Sequence, residues 1–228
     1  MKNYPLEATM KFDNANFHRK YCLSFIKKYI KGNVLEVGAG CGSFTNDYLN
    51  ENLNISLTET DKKNYENLKL IFSQKDRIRI FNDTIFSIDG DFDTILYLHV
   101  LEHIEEDMKE LKQIYKKLKK NGHLIIIVPK HQKLYSNLDK AVGHFRRYEI
   151  DFFKSNLAKM TRKFLVSLDS AGYILYFLNK IFFKKEKFPT KFKIFIWDKI
   201  FTPITVVLDF LTSYKFGKCI IAVYKKDL

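Results

Sequence analysis

The stretch Glu36-Val37-Gly38-Ala39-Gly40-Cys41-Gly42 constrains this chain more than any other. It follows a short apolar run, Asn33 to Val37, that reads as a buried strand, and it precedes a helical pattern from Phe44 to Leu49. Glycines at alternate positions let the backbone turn tightly and approach a ligand with no Cβ in the way. A strand, a glycine turn and a helix in succession are the start of an open α/β sheet that binds a ligand at its carboxyl edge.

The rest of the chain continues the alternation. Helices are predicted over Phe17 to Ile30, Asn64 to Phe72 and Glu105 to Lys119, the last stopped by Asn121-Gly122. Strands are predicted over Ile55 to Thr58, Arg77 to Phe81, Thr94 to Leu98, Leu124 to Val128, Lys163 to Leu168 and Cys219 to Tyr224. The expected architecture is α/β, Rossmann-like and doubly wound, with a mostly parallel sheet. No repeat, low-complexity tract or Pro/Gly-rich linker marks a boundary, so residues 1–228 read as one domain.

Spacing and charge distinguish the ligand. A dinucleotide site uses G-x-G-x-x-G to set pyrophosphate on a helix N-terminus. Here the pattern is G-x-G-x-G with Glu36 two residues ahead. That carboxylate would repel pyrophosphate, but suits the sulfonium and ammonium of S-adenosylmethionine. Glu59, at the end of the second strand, can accept hydrogen bonds from ribose hydroxyls. Asp83, ending the third, can accept from the adenine amino group.

These features together resemble the class I, Rossmann-like S-adenosylmethionine-dependent methyltransferases, and within them the bacterial branch found alone or fused to family 2 glycosyltransferases. The matching stretches are VLEVGAGCGSFT (34–45), LTETD (57–61), FDTILYLHVLEHIEED (92–107), LKKNGHLIIIVP (118–129), KLYSNLDKAVGHFRRY (133–148) and GKCIIAVYKK (217–226). The resemblance implies a seven-stranded sheet with the last strand antiparallel. It also implies S-adenosylmethionine as methyl donor, held by Glu36, Gly38, Ala39, Gly40, Gly42, Glu59, Thr60, Asp83 and Thr84, with the backbone at Leu98 and His99 closing over it. The branch commonly has Asn where this chain has His99.

On the acceptor side, an oxygen nucleophile needs a proton removed, which a histidine can do. His103, after the fourth strand, and His144, in GHFRRY, are the candidate catalytic residues. Tyr135, Arg146, Arg147 and Tyr148 are candidate substrate residues. Two adjacent arginines can clamp a carboxylate or phosphate, or one of them can pair with Glu149 or Asp151 to fix the loop. The clamp reading expects Arg147→Lys to raise KM with stability intact. His131, between Lys130 and Lys133, reads as part of a solvated loop. The stretch Tyr97-Leu98-His99-Val100 lacks the N/D-P-P-Y/F motif of enzymes that methylate base amino groups, so such an acceptor is not expected.

Cys22, Cys41 and Cys219 are odd in number and lack metal-ligand spacing, which suits a reducing compartment and argues against a disulfide framework or a zinc site; no metal is expected. Met1 to Asn14 has no apolar core of a signal peptide, and no run approaches the roughly 18 apolar residues of a spanning helix. A cytoplasmic protein is expected, in contact with the inner face of the membrane on one reading of its last third.

The net charge is +13. Residues 151–228 hold 15 Lys+Arg against 6 Asp+Glu, so most of the excess lies there. Tyr173 to Phe216 also carries 13 aromatic residues in 44, too long a stretch for an idle loop between two strands. It reads as a basic aromatic helical cap inserted before the last strand. It either completes the core over an acceptor pocket or lays aromatics and lysines on anionic headgroups. Lysine and stacking aromatics can also bind nucleic acid, but Phe, Leu and Ile dominate here and no RNA-binding signature is present. The function expected is methylation, at oxygen, of a small or lipid-linked acceptor in cell-surface glycan or related metabolism. The alternatives are a quinone or isoprenoid-lipid methyltransferase and an RNA-binding methyltransferase-like protein.

Overall fold

Val34 to Val37 forms the centre of β1 (Asn33–Val37), where every residue after Asn33 is buried, as a strand covered on both faces requires. The computed structural model describes residues 15–182 and 190–227. Met1 to Asn14 and the basic run Lys184 to Lys187, with Phe183, lie outside the described residues. The other strands are β2 (Asn54–Thr58), β3 (Ile78–Phe81), β4 (Phe92–Leu98), β5 (Leu118–Pro129), β6 (Thr161–Leu168) and β7 (Cys219–Lys225). They make a seven-stranded sheet in the order β3-β2-β1-β4-β5-β7-β6. The first five strands pair in parallel, and β7 runs antiparallel to both β5 and β6. The order reverses between β1 and β4, which opens a crevice at the carboxyl ends of those strands.

Alternation along the central strands divides the core into two layers. Ile95, Tyr97, Leu124, Ile126 and Val128 face one layer. Leu96, Leu98, Ile125 and Ile127 face the other. Helices cover both: α1 (Asn16–Ile26), α2 (Ser43–Tyr48), α3 (Lys62–Phe72), α4 (Asp107–Lys117), α5 (Asn137–Ala141) and α6 (Ile150–Asn156). The Asp61 side chain caps α3 by accepting from Asn64 N–H, and α4 presents Leu111 and Ile114 to the core.

The helix predicted to run to Lys119 ends at Lys117, and β5 begins at once. Asn121 has φ +64, but this left-handed residue lies inside the strand. Its N–H donates to Lys226 O at 2.7 Å, and Lys226 N–H donates back to Gly122 O at 3.0 Å. The Asn-Gly pair therefore shapes the edge where β5 meets β7, and no helix end.

The expected cap lies between β6 and β7: α7 (Ser170–Phe182), α8 (Lys191–Ile196), a π-helical turn over Trp197–Phe201, and α9 (Thr202–Leu211). Three buried aspartates hold it. Asp198 accepts from Phe17 N–H at 3.2 Å and His18 N–H at 2.9 Å, at the start of α1. Asp209 accepts from Asp169 N–H, Ser170 N–H and Tyr21 Oη–H at 2.9–3.0 Å. Asp169 pairs with Lys218 at 3.0 Å and lies 3.7 Å from His18. The outer side of α8 and α9 leaves Phe192, Phe195, Ile204, Val207, Phe210 and Leu211 exposed. Among the described residues no helix is long and apolar enough to cross a membrane.

Candidate functional site

The glycine loop adopts the conformation its composition anticipates. Gly38, Gly40 and Gly42 have φ of +67, +57 and +76, a region closed to most side chains. A Cβ on Gly38 would lie 2.8 Å from Val100 Cγ2, and one on Gly42 would lie 2.7 Å from Phe72. The loop is thus pressed between the segment after β4 and α3, and its shape requires glycine for space as well as for torsion.

Acidic side chains pin this loop from beneath. Glu59 accepts from Gly40 N–H and from Asp61 N–H, both at 2.9 Å, one bond on each oxygen. Asn82 Nδ2 donates to Glu59 O at 2.7 Å and so ties the end of β3 to the end of β2. Glu36 is buried, and its Oε2 accepts from Thr45 Oγ1 at 2.7 Å and Tyr48 Oη at 2.6 Å. Burial pushes its carboxyl up to about 7, against the pull of those two bonds. Thr45 and Tyr48, on α2, were not identified from sequence; a hydroxyl in a short helix carries no signal of which carboxylate it meets.

Asp83 is exposed just beyond β3, its carboxylate accepting from Thr84 N–H at 2.7 Å. Its pKa is lowered by a hydrogen bond from Ser87 and that from Thr84. Leu98 ends β4, and His99 follows at φ +61, its N–H bonded to Ile127 O at 2.8 Å. Asn and His are among the non-glycine residues that tolerate this left-handed region best. The backbone there accounts for either residue type at this position. Glu36, Glu59, Asp83 and His99 therefore come together at the carboxyl ends of β1 to β4, around the glycine loop.

The second group of predicted residues assembles after β4 and β5. His103 and His144 stack edge-on with ring centroids 4.7 Å apart. Between them and His99 lies Glu102, whose side chain is 1% exposed; Oε1 is 3.9 Å from His144 Nε2 and 3.7 Å from His99 Nδ1. Burial lowers His103 to about 4, partly offset by Glu102, so its ring is neutral near pH 7. Glu102 was missed from sequence, because a glutamate followed by Glu105 and Glu106 reads as part of a solvated turn.

The GHFRRY arginines take partners that the sequence did not indicate. Arg147 is buried and grips Asp139, Nε to Oδ1 at 2.8 Å and Nη2 to Oδ2 at 3.1 Å. Asp139 also bonds His144 Nδ1 at 2.8 Å and Tyr176 Oη at 3.0 Å. With His144 and Arg147 beside it, its carboxyl is held far below the usual range. Arg146 reaches Asp107 Oδ2 and Glu105 O, each at 2.7 Å. Tyr148 Oη donates to the same Asp107 oxygen at 2.9 Å, and Tyr135 Oη to His144 O at 2.6 Å. Neither Glu149 nor Asp151 takes an arginine; Glu149 accepts from Gln132 N–H and lies near His131, and Asp151 pairs with Lys154. Both guanidinium groups are engaged within the chain, on Asp139 and Asp107 in place of Glu149 or Asp151.

The solvated-loop reading is corrected for Lys130 and His131, while Gln132 and Lys133 are exposed. Lys130 is buried with Nζ on Ser167 Oγ at 2.8 Å, and His131 packs its ring 5.1 Å from that of Tyr173. Tyr173, on α7, covers His131, and β6 with the segment before β7 receives Lys130. Tyr176, also on α7, sits with its ring 4.5 Å from the Arg147 guanidinium, so the cap touches the acceptor-side loop directly.

Residues 35–124 match a family model described as a methyltransferase domain. No curated protein matches the sequence. Among solved structures, the chain is similar to the N-methyltransferase NodS from Bradyrhizobium japonicum WM9 in complex with S-adenosyl-L-homocysteine. That similarity covers 100% of this chain and 90% of that one at 13% identity, with a TM-score of 0.61. It is also similar to coclaurine N-methyltransferase bound to N-methylheliamine and SAH, over 91% of this chain and 72% of that one, at 13% identity and a TM-score of 0.62. YcgJ from Bacillus subtilis aligns over 92% of this chain and 99% of its own, at 13% identity and a TM-score of 0.61. At such identities the likeness speaks for the fold, and the domain match speaks for the chemistry of the glycine-loop half. Over those residues the chain is similar to methyltransferase domains, on a fold shared with a methyltransferase solved with S-adenosyl-L-homocysteine.

Proposed function

We propose that the protein methylates a hydroxyl oxygen of a small or lipid-linked acceptor, in cell-surface glycan or related metabolism, at the cytoplasmic face of the membrane. The observation that carries the oxygen acceptor is the cluster of buried Glu102 with half-buried His103 and His144, on the segment after β4 whose Val100 packs on Gly38. S-adenosylmethionine, when bound, supplies an already activated methyl group. What remains for the chain is to bind, orient and manage one proton.

The cofactor residues fit that donor. Glu36 offers a carboxylate toward cationic groups, and the backbone of Gly38, Ala39, Gly40 and Gly42 leaves room for close approach. Glu59 retains lone pairs for ribose hydroxyls beyond its two backbone bonds. Thr60, Asp83, Thr84, Leu98 and His99 border the nucleoside end. A neutral His103 can accept the acceptor's proton, with the Glu102 carboxylate steadying the charged ring that results. The oxygen lone pair then forms the new C–O bond, and the S–C electron pair stays on sulfur.

The membrane part of the reading is supported by the cap. Exposed Phe192, Phe195, Phe210 and Leu211 lie on helices that also carry Lys191, Lys193 and Lys199, the mixture an interfacial surface uses. The same apolar surface suits a quinone or isoprenoid-lipid acceptor, so a polyprenylated phenol belongs in the acceptor panel. Transfer of labelled methyl to hydroxyl acceptors, giving a base-stable ether, and salt-sensitive sedimentation with anionic vesicles are the expected results. Turnover on amines alone would sink the oxygen assignment. Equal recovery in the supernatant with and without anionic vesicles would sink the membrane assignment.

A further inference from the structure

The Glu102 carboxylate poses a problem for the fold. Its Oε2 is buried with no hydrogen-bond partner, and its Oε1 lies 3.7–3.9 Å from His99 and His144, beyond ordinary hydrogen-bond length. A buried carboxylate left short of donors is costly, and native structures meet such groups with water, a proton or an ion.

The surroundings favour an ion. One donor atom each from Glu102, His103 and His144 lies within 4.8 Å of the other two. Two donors bound at about 2.1 Å to one ion can be no more than about 4.2 Å apart. The 3.9 Å between Glu102 Oε1 and His144 Nε2 already meets that limit. No pair needs an adjustment of more than about 0.6 Å.

His144 is also oriented as a ligand would be. Its Nδ1 bonds Asp139 Oδ1 at 2.8 Å, which directs the Nε2 lone pair toward Glu102. A carboxylate fixing the far nitrogen of a histidine is the usual support of a metal-bound imidazole. Asp139 is itself locked by Arg147, which gives the buried GHFRRY arginine a purpose: it positions Asp139, and Asp139 positions His144.

We propose that Glu102, His103 and His144 form a site for one divalent first-row metal ion of the zinc–manganese class, with an open position for the acceptor's oxygen. Two imidazoles and one carboxylate suit such ions and leave coordination positions free. With His103 a ligand, the ion takes over the base's part: an oxygen bound there has its pKa lowered and is presented as a nucleophile, its proton passing to solvent and not to His103. The inference deepens the oxygen-acceptor reading, yet its test needs no acceptor and so can fail separately.

The experiment uses the full chain stripped with EDTA and titrated calorimetrically with ZnCl₂ and with MnCl₂. One ion per chain is expected in the wild type, weakened by about tenfold or more in Glu102→Gln and in His144→Ala. Heat from S-adenosylhomocysteine should persist in both variants. Because either substitution can unsettle the fold, the wild type loaded with Mn²⁺ is also examined by pulsed EPR, where imidazole nitrogen coupling is expected. Absence of binding, equal affinity in wild type and both variants, or bound Mn²⁺ without nitrogen coupling would each overturn the site. Loss of S-adenosylhomocysteine heat with the ion still bound would instead count against the cofactor site alone.

Discussion

The glycine-loop half of this molecule and its acceptor half are held together by different physics. Around β1 to β4 the geometry comes from backbone: three glycines at positive φ, strand ends in register, and carboxylates that accept from main-chain N–H groups. From residue 130 to 216 it comes from buried charge. Asp107 with Arg146 and Asp169 with Lys218 tie segments far apart in the chain, and Asp139 with Arg147 closes the loop between α5 and α6 on itself. The first kind of order is set by a few local residues; the second exists only once distant partners have met.

That contrast yields its largest expected effect at Asp139. Asp139→Ala strands the buried Arg147 guanidinium and leaves His144 unsupported. Breaking a buried pair in this way costs about 3–5 kcal/mol. Urea unfolding should show that loss, with S-adenosylhomocysteine affinity in the remaining folded protein nearly unchanged. Arg147→Lys should likewise lower Tm, since an ammonium cannot reproduce the two-point grip on Asp139. An Arg147→Lys protein with normal Tm and raised KM would restore the clamp reading and break the comparison.

The same contrast explains what the sequence disclosed. The succession of strands and helices and the loop at Gly38 to Gly42 were legible because glycine spacing and short apolar runs are local signals. The antiparallel last strand, and Ala39, Thr60, Thr84, Leu98 and His99 as site residues, came only through a family resemblance. Glu102, Asp139 and Asp107 were missed, and with them the partners of Arg146 and Arg147. A charged residue looks the same on paper whether water or a buried partner receives it. His131 and Lys130 looked solvated for the same reason, since the Tyr173 ring and the Ser167 hydroxyl that receive them lie far onward in the chain.

In the glycine-loop half, the sharpest test is Gly38→Ala. Holding a non-glycine residue at φ +67 costs about 1–2 kcal/mol, and the added carbon would press on Val100. S-adenosylhomocysteine affinity should fall about tenfold or more, while the melting temperature drops by only a few degrees. A stability loss as large as that of Asp139→Ala, with affinity retained, would show that the loop braces the fold and does not serve the cofactor.

Glu36 offers a graded effect. Burial raises its carboxyl from 4.5 to about 7. The unfolded chain therefore ionises first, and the free protein's stability from this group is full at low pH and declines as pH rises from about 4.5 to about 7. Cofactor binding should run the opposite way. The ionised carboxylate favours a cationic ligand, so affinity should rise by up to about tenfold between pH 6 and pH 8. Glu36→Gln should flatten both profiles; a slope that survives in Glu36→Gln would assign it to another group.

The smallest expected change in stability lies on the cap. Phe210 and Leu211 are 68% and 69% exposed, so replacing both by Ser removes little buried area and should shift unfolding by no more than about 0.5 kcal/mol. Vesicle binding should nevertheless fall, because those side chains supply the insertable surface while the lysines supply only screened attraction. The two contributions separate by salt: the wild type should keep residual binding at high ionic strength, and the double variant should keep none. If the variant binds anionic vesicles as the wild type does, the outer face of α9 faces something other than lipid. If instead the substitution lowers stability by several kcal/mol, these side chains are buried in solution, and the cap is covered by protein.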